Sequence, residues 1–104
     1  MTKWRIWIGV LVAGALSASA SRTGAEAPAC VEVAAEARLG AVGYDHIVAL
    51  VNTCRKNARC VVATDVNPEA VTVNVARNSQ VEVVTFRGSP ARTFIPRVTC
   101  RITS

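Results

Sequence analysis

Four cysteines, one histidine outside the first twenty residues and a compact basic run are the residues of this chain whose types and spacing bear on chemistry. The cysteines are Cys30, Cys54, Cys60 and Cys100. A structural zinc site would need cysteine pairs two to four residues apart or further histidines, and neither is present, so no metal or other cofactor is expected. An even count in a small chain instead reads as two disulfides. Three pairings are open. Cys30–Cys100 with Cys54–Cys60 closes loops worth about 4 and 2 kcal/mol, and Cys30–Cys54 with Cys60–Cys100 loops worth about 3.5 and 4 kcal/mol, which does not separate them. Position favours the first: Cys54 and Cys60 bracket Arg55-Lys56-Asn57-Ala58-Arg59 between two strand-like runs, where they would face each other across a hairpin.

His46 follows Asp45 and suggests acid–base or copper chemistry. Neighbours in a strand point to opposite faces, so the pair cannot act as a unit without a third group. A blue-copper site needs two histidines and a free thiolate. The simpler expectation is a histidine at a strand end near the surface. Asp45, Asp65, Glu69 and Glu82 are scattered, without the forced proximity of a glycosidase pair or the aromatics that would stack a sugar. Asp65-Val66-Asn67-Pro68 reads as a turn with Asx hydrogen bonds. No catalytic residue is assigned, and the chain is read as a non-enzyme.

The basic run is the most pointed feature. Arg55, Lys56 and Arg59 are three cations in five positions, set in the expected hairpin tip. A disulfide-closed basic loop would suit a small protease inhibitor, because rigidity lowers the cost of binding. A solvated tip is the plainer alternative. Arg97 and Arg101 fall on one side of the last strand-like run and would give a basic outer face for an acidic protein, an anionic polysaccharide or a membrane surface. Nucleic acid is not expected, because single-strand binders need aromatics to stack bases and few are present.

The elements that must carry these residues are short. Lys3 and Arg5, the eleven-residue uncharged run Ile6 to Leu16 and Ala18-Ser19-Ala20 form the tripartite pattern of a secretory signal cleaved near Ala20. A membrane-spanning helix would need about 20 apolar residues. Lipid attachment at Cys30 would need a branched apolar residue three positions before it, where Ala27 stands. The 51% hydrophobic composition of the chain therefore overstates the exported part, since both tryptophans and the one methionine precede Ala20. Residues 21–104 hold ten Arg and Lys against seven Asp and Glu, a net +3. Residues 21–29 read as a flexible lead-in, and residues 30–104 as one domain small enough to need covalent help.

From Val31 to Leu39 apolar residues alternate with Glu32, Glu36 and Arg38, which favours a strand over the helix that its alanines also permit. Gly40 to Asp45 is a turn, and His46 to Thr53 is apolar enough for a strand buried on both faces. Cys60 to Val66, Val71 to Val75, Val81 to Phe86 and Thr93 to Ile102 follow, separated by Asn, Pro, Ser and Gly. The expected fold is all-β: a small antiparallel sandwich, or partly open barrel, of about six strands linked by disulfides.

The segments Asn52-Thr53-Cys54, Cys60, Thr64-Asp65-Val66-Asn67-Pro68, Gly88-Ser89-Pro90-Ala91-Arg92 and Val98-Thr99-Cys100 resemble those of small exported bacterial four-cysteine proteins of unknown function. That resemblance, over Tyr44 to Cys100, implies a secreted or periplasmic disulfide-linked domain and no chemistry. The functional expectation is a non-catalytic binding or structural module, with the inhibitor as alternative.

Overall fold

The computed structural model describes residues 25–103; the expected signal segment, residues 1–20, lies outside the described residues. Among the described residues seven strands form: β1 (Ala25–Glu26), β2 (Val31–Gly40), β3 (Gly43–Asn52), β4 (Ala58–Thr64), β5 (Val71–Val75), β6 (Ser79–Ser89) and β7 (Pro96–Ile102). They make two sheets, β1-β7-β4-β5 and β2-β3-β6, so the fold is an all-β sandwich and not a closed barrel. Every pairing is antiparallel except β1 with β7. The short β1 falls in the segment read as a lead-in, where two residues are too few to show a period.

Alternation along each strand sorts the side chains. Val48 and Leu50 of β3, Val62 of β4, Val75 of β5, Val83 of β6 and Val98 of β7 point into one core, with Val31 and three of the cysteines beside them. Beta-branched valine suits both the pleat and the thin space between two sheets. Strand β3 is central in its sheet, and its outward Ile47 is also buried. Arg38 on β2 and Glu82 on β6 approach to 3.5 Å from either side of β3, which places the pair over Ile47. That accounts for the unbroken apolar run from Ile47 to Val51.

The disulfides are Cys30–Cys54 and Cys60–Cys100, with Cα separations of 5.1 and 4.0 Å. The expected pairing of Cys54 with Cys60 and of Cys30 with Cys100 is therefore corrected. Its premise was a hairpin, but β3 and β4 lie in different sheets and residues 53–57 cross between them. Cys60 finds its register partner on β7 at Cys100, and Cys54 closes the open end of the β2–β3 hairpin at Cys30. In a domain this small the two cross-links constrain the unfolded chain by about 3.5 and 4 kcal/mol.

At the far end of the sandwich the β2–β3 hairpin turns through Ala41 and Val42, and β3 resumes at Gly43, earlier than the expected turn allows. Gly43 has φ +139°, and a Cβ there would stand 2.7 Å from the Gly88 backbone, so only glycine fits. Strand β6 then bulges against β3 near His46. The Thr85 hydroxyl donates to the His46 carbonyl, and the Asn67 amide donates to the Thr85 carbonyl, which satisfies backbone freed by the bulge. Asn67 Oδ1 also accepts the Glu69 amide, the Asx bond expected for that turn.

Candidate functional site

The crossover from β3 to β4 is held from within. Asn52, fully buried at the end of β3, donates from Nδ2 to the carbonyls of Val75 (2.9 Å) and Lys56 (3.0 Å) and accepts the Cys54 amide on Oδ1 (2.8 Å). One side chain thus joins the two sheets and fixes the bend that carries Arg55 and Lys56. Asn57 continues the scaffold: its Oδ1 accepts the Arg77 amide, and its carbonyl accepts the Thr103 amide. The β5–β6 turn and the end of β7 are therefore tied to the same loop.

Five cations surround this end. Arg55 and Lys56 are exposed on the crossover and, with Cys30, Thr53, Cys54 and Ile102, line a shallow, mainly apolar depression of about 390 Å³. Arg59 and Arg101 lie directly opposite each other on β4 and β7, both on the solvent face. Arg59 Nε reaches Asn74 Oδ1 at 3.4 Å. Arg77 projects from the adjoining turn. Among the described residues none of the five is in an ion pair. Like charges opposite each other across strands cost stability, on the order of 0.2–1 kcal/mol, so the Arg59–Arg101 pair leaves a positive potential. Glu26, exposed on β1 in register with Thr99, is the carboxylate that shares this outer face, and among the described residues it is in no ion pair with the cluster.

Of the five basic residues singled out in the sequence, the structure brings Arg55, Lys56, Arg59 and Arg101 together. Arg97 shares the outer face but sits opposite Ala63, roughly 13 Å further along β7. Arg77 joins the cluster unannounced, because its place depends on the Asn57 bond and not on spacing. Cys54 and Cys60 are not the two ends of a closed loop, so the disulfide rigidity expected of an inhibitor loop is absent.

The outer face of the other sheet has the opposite character, with Glu32, Glu36 and Glu82 exposed beside Arg38. A hydrogen bond and charge attraction from Arg38 hold the Glu36 carboxyl below the usual carboxylate range, and Glu36 raises Arg38 in turn.

His46 is not at the surface, which corrects the expectation of an exposed strand-end histidine. Because β3 begins at Gly43, His46 lies inside the strand and faces inward, fully buried. Its ring stacks on Phe94 at 4.3 Å, and Nε2 donates to the Ala91 carbonyl at 2.8 Å, so it anchors the β6–β7 connection. Among the described residues Nδ1 has no hydrogen-bond partner. Among the described residues no three His, Cys, Asp or Glu side chains gather as a metal-ligand set.

No protein-family model, curated protein or solved structure matches the chain.

Proposed function

We propose that this chain is an exported, non-catalytic module that binds an anionic partner through the end formed by Arg55, Lys56, Arg59, Arg77 and Arg101. The observation that carries the reading is the convergence of five cations from three separate segments on a scaffolded surface, none of them in an ion pair among the described residues. Two disulfides suit an oxidising compartment, which agrees with the signal-like first twenty residues. Arginine's planar donors match phosphate, sulfate and carboxylate, and the apolar depression between Arg55 and Ile102 gives a bound anion a dry flank. The chemistry shared by an acidic protein, an anionic polysaccharide and a lipid head group is a dense row of such groups. The inhibitor alternative rested on a loop closed by its own disulfide, and with Cys54 bonded to Cys30 it is not carried forward.

The test is binding to a sulfated polysaccharide, to vesicles with and without anionic lipid, and to an acidic peptide, each at low and high salt. Each exposed cation near an anionic surface contributes about 1 kcal/mol, so replacing Arg55, Lys56 and Arg101 together by alanine weakens binding about 100-fold. Replacing Arg97, which stands apart, has a smaller effect. Failure to bind any of the three at low salt, or an unchanged affinity in the triple variant, overturns the proposal.

A further inference from the structure

Among the described residues the sandwich has four sheet edges, and three of them are short or irregular. Strand β1 has two residues, β5 has five, and β6 is broken by register shifts against β3. Strand β2 is different. It runs ten residues in unbroken register with β3, contains no proline, and among the described residues has no partner on its other side. A long, regular, uncovered edge is what folded proteins usually avoid, because it templates the addition of another strand. The side chains of β2 favour such addition: Ala34, Ala35 and Ala37 leave the edge open, and Leu39 is 69% exposed on the core-facing side. A shallow depression of about 160 Å³, lined by Ala35, Ala37, Arg92, Thr93 and Phe94, lies along the strand's inner flank.

The phase of the free hydrogen-bonding groups follows from β3. The Thr53 amide donates to the Cys30 carbonyl, so even-numbered residues of β2 bond toward β3. Val31, Val33, Ala35, Ala37 and Leu39 therefore turn their backbone groups outward. We propose that β2 pairs antiparallel with β2 of a second copy of this chain, about a two-fold axis at Ala35, to make one continuous six-stranded sheet.

Charge selects both the occupant and the register. Centred on Ala35, the pairing sets Glu32 against Arg38 of the second copy, twice by symmetry, with Val31 against Leu39 and Val33 against Ala37. Glu32 and Arg38 then form non-hydrogen-bonded pairs, in which side chains approach most closely. Glu32 has no ion pair among the described residues. Arg38 uses Nε and one Nη toward Glu36 and Glu82, and its other Nη is free to reach across. Moving the axis to Ala34 sets Glu32 against Glu36, and moving it to Glu36 sets that carboxylate against its own copy. An axis at Ala37 pairs Glu36 with Arg38 but engages only residues 34–40. An axis between residues would oppose inner to outer faces, which the pleat forbids. The same pairing covers Leu39 with Val31 and sets Val33 of the second copy opposite Ala37, beside the depression.

The consequence reaches beyond the binding surface of a single copy. The basic end lies at the start of β2, so an antiparallel dimer carries two such ends, roughly 30 Å apart along the strands, and could bridge two anionic sites.

Sedimentation equilibrium on the oxidised protein at low ionic strength tests the proposal, with circular dichroism and thermal melting to show that each variant folds. Wild type is expected to dimerise reversibly. E32R and R38E each place two like-charge pairs in the interface and raise the dimer dissociation constant about tenfold or more. The two variants mixed form a heterodimer in which both pairs are attractive again, and the double variant E32R/R38E dimerises like wild type. Ala35→Pro, which removes an outward amide at an edge position that tolerates proline, gives a folded monomer. A monomeric wild type up to millimolar concentration overturns the proposal, as does a mixture of E32R and R38E that associates no better than either alone.

Discussion

Asn52 is the residue on which the basic end depends, and its replacement gives a sharp measure of that dependence. In Asn52→Ala the Cys54 amide and the Val75 carbonyl, both inside the sandwich, lose their side-chain partner, while the Lys56 carbonyl lies nearer solvent and can turn to water. An unsatisfied buried group costs about 1–3 kcal/mol. Two of them give a loss of about 2–4 kcal/mol after partial relaxation, which in a domain of this size lowers the melting temperature by roughly 10–25 °C. Urea unfolding checks the figure: the midpoint falls with the slope unchanged, because the surface exposed on unfolding is the same.

Asn52→Asp separates the hydrogen-bond account from mere loss of volume. The aspartate keeps an acceptor for the Cys54 amide but turns an oxygen, in place of an NH2, toward two carbonyls about 3 Å away. The folded protein therefore favours the protonated acid, and the aspartate's folded pKa lies above its unfolded value. Between those values the native state binds more protons than the unfolded state, so stability falls as pH rises and returns as pH falls. The expected result is a variant far weaker than wild type at pH 7 whose deficit narrows steadily toward pH 4. A deficit in Asn52→Ala below about 1 kcal/mol, or one in Asn52→Asp that does not change with pH, refutes the assignment of these bonds.

The disulfide pairing is open to direct mapping. Trypsin cuts after Arg22, Arg38, Arg55, Arg59, Arg77, Arg97 and Arg101 and so puts each cysteine on its own peptide. Unreduced digests should link residues 23–38 to 39–55 and residues 60–77 to 98–101, and a linkage between 39–55 and 60–77 would contradict the fold. Replacing Cys60 and Cys100 together by alanine should cost about 4 kcal/mol, and replacing Cys30 and Cys54 about 3.5 kcal/mol, read from urea midpoints. In acid, Glu36 supplies a small step: its folded pKa is depressed by Arg38, so its contribution is complete above about pH 4.5, the ordinary value, and is lost as pH falls through the depressed one. Arg38→Gln should remove that step from the pH dependence of the melting temperature.

Local pattern was legible wherever it acts on its own. The alternation from Val31 marks β2, and the five apolar residues from Ile47 to Val51 mark the strand enclosed on both faces. Strand partnership was not legible, and the cysteines show why. Consecutive strands are neighbours more often than not, which makes a hairpin the natural expectation for Cys54 and Cys60. The crossover of residues 53–57 is held by Asn52, whose amide bonds Val75 on the other sheet. Nothing in the spacing of the chain announces that bond. His46 misleads for a related reason: its burial is completed by Phe94, which is brought over it by the β6–β7 connection.

The basic end shows the same division between what a strand reveals and what an assembly decides. Alternation alone puts Arg97 and Arg101 on one face of β7, and the structure keeps them there. Which of the two belongs to the cluster depends on β4, whose register sets Arg59 beside Arg101 and Ala63 beside Arg97. Arg77 enters only because Asn57 captures its amide. If the grouping matters through its summed field, an added carboxylate should act by place and not by number. Thr72 and Thr99 are both exposed on this outer face, but Thr99 lies next to Arg101 on the strand. Thr99→Glu on β7 should therefore weaken polyanion binding more than Glu introduced at Thr72, on the far side of β4. Equal losses at the two positions would mean that net charge alone governs binding, and that the end of the sandwich is no site at all.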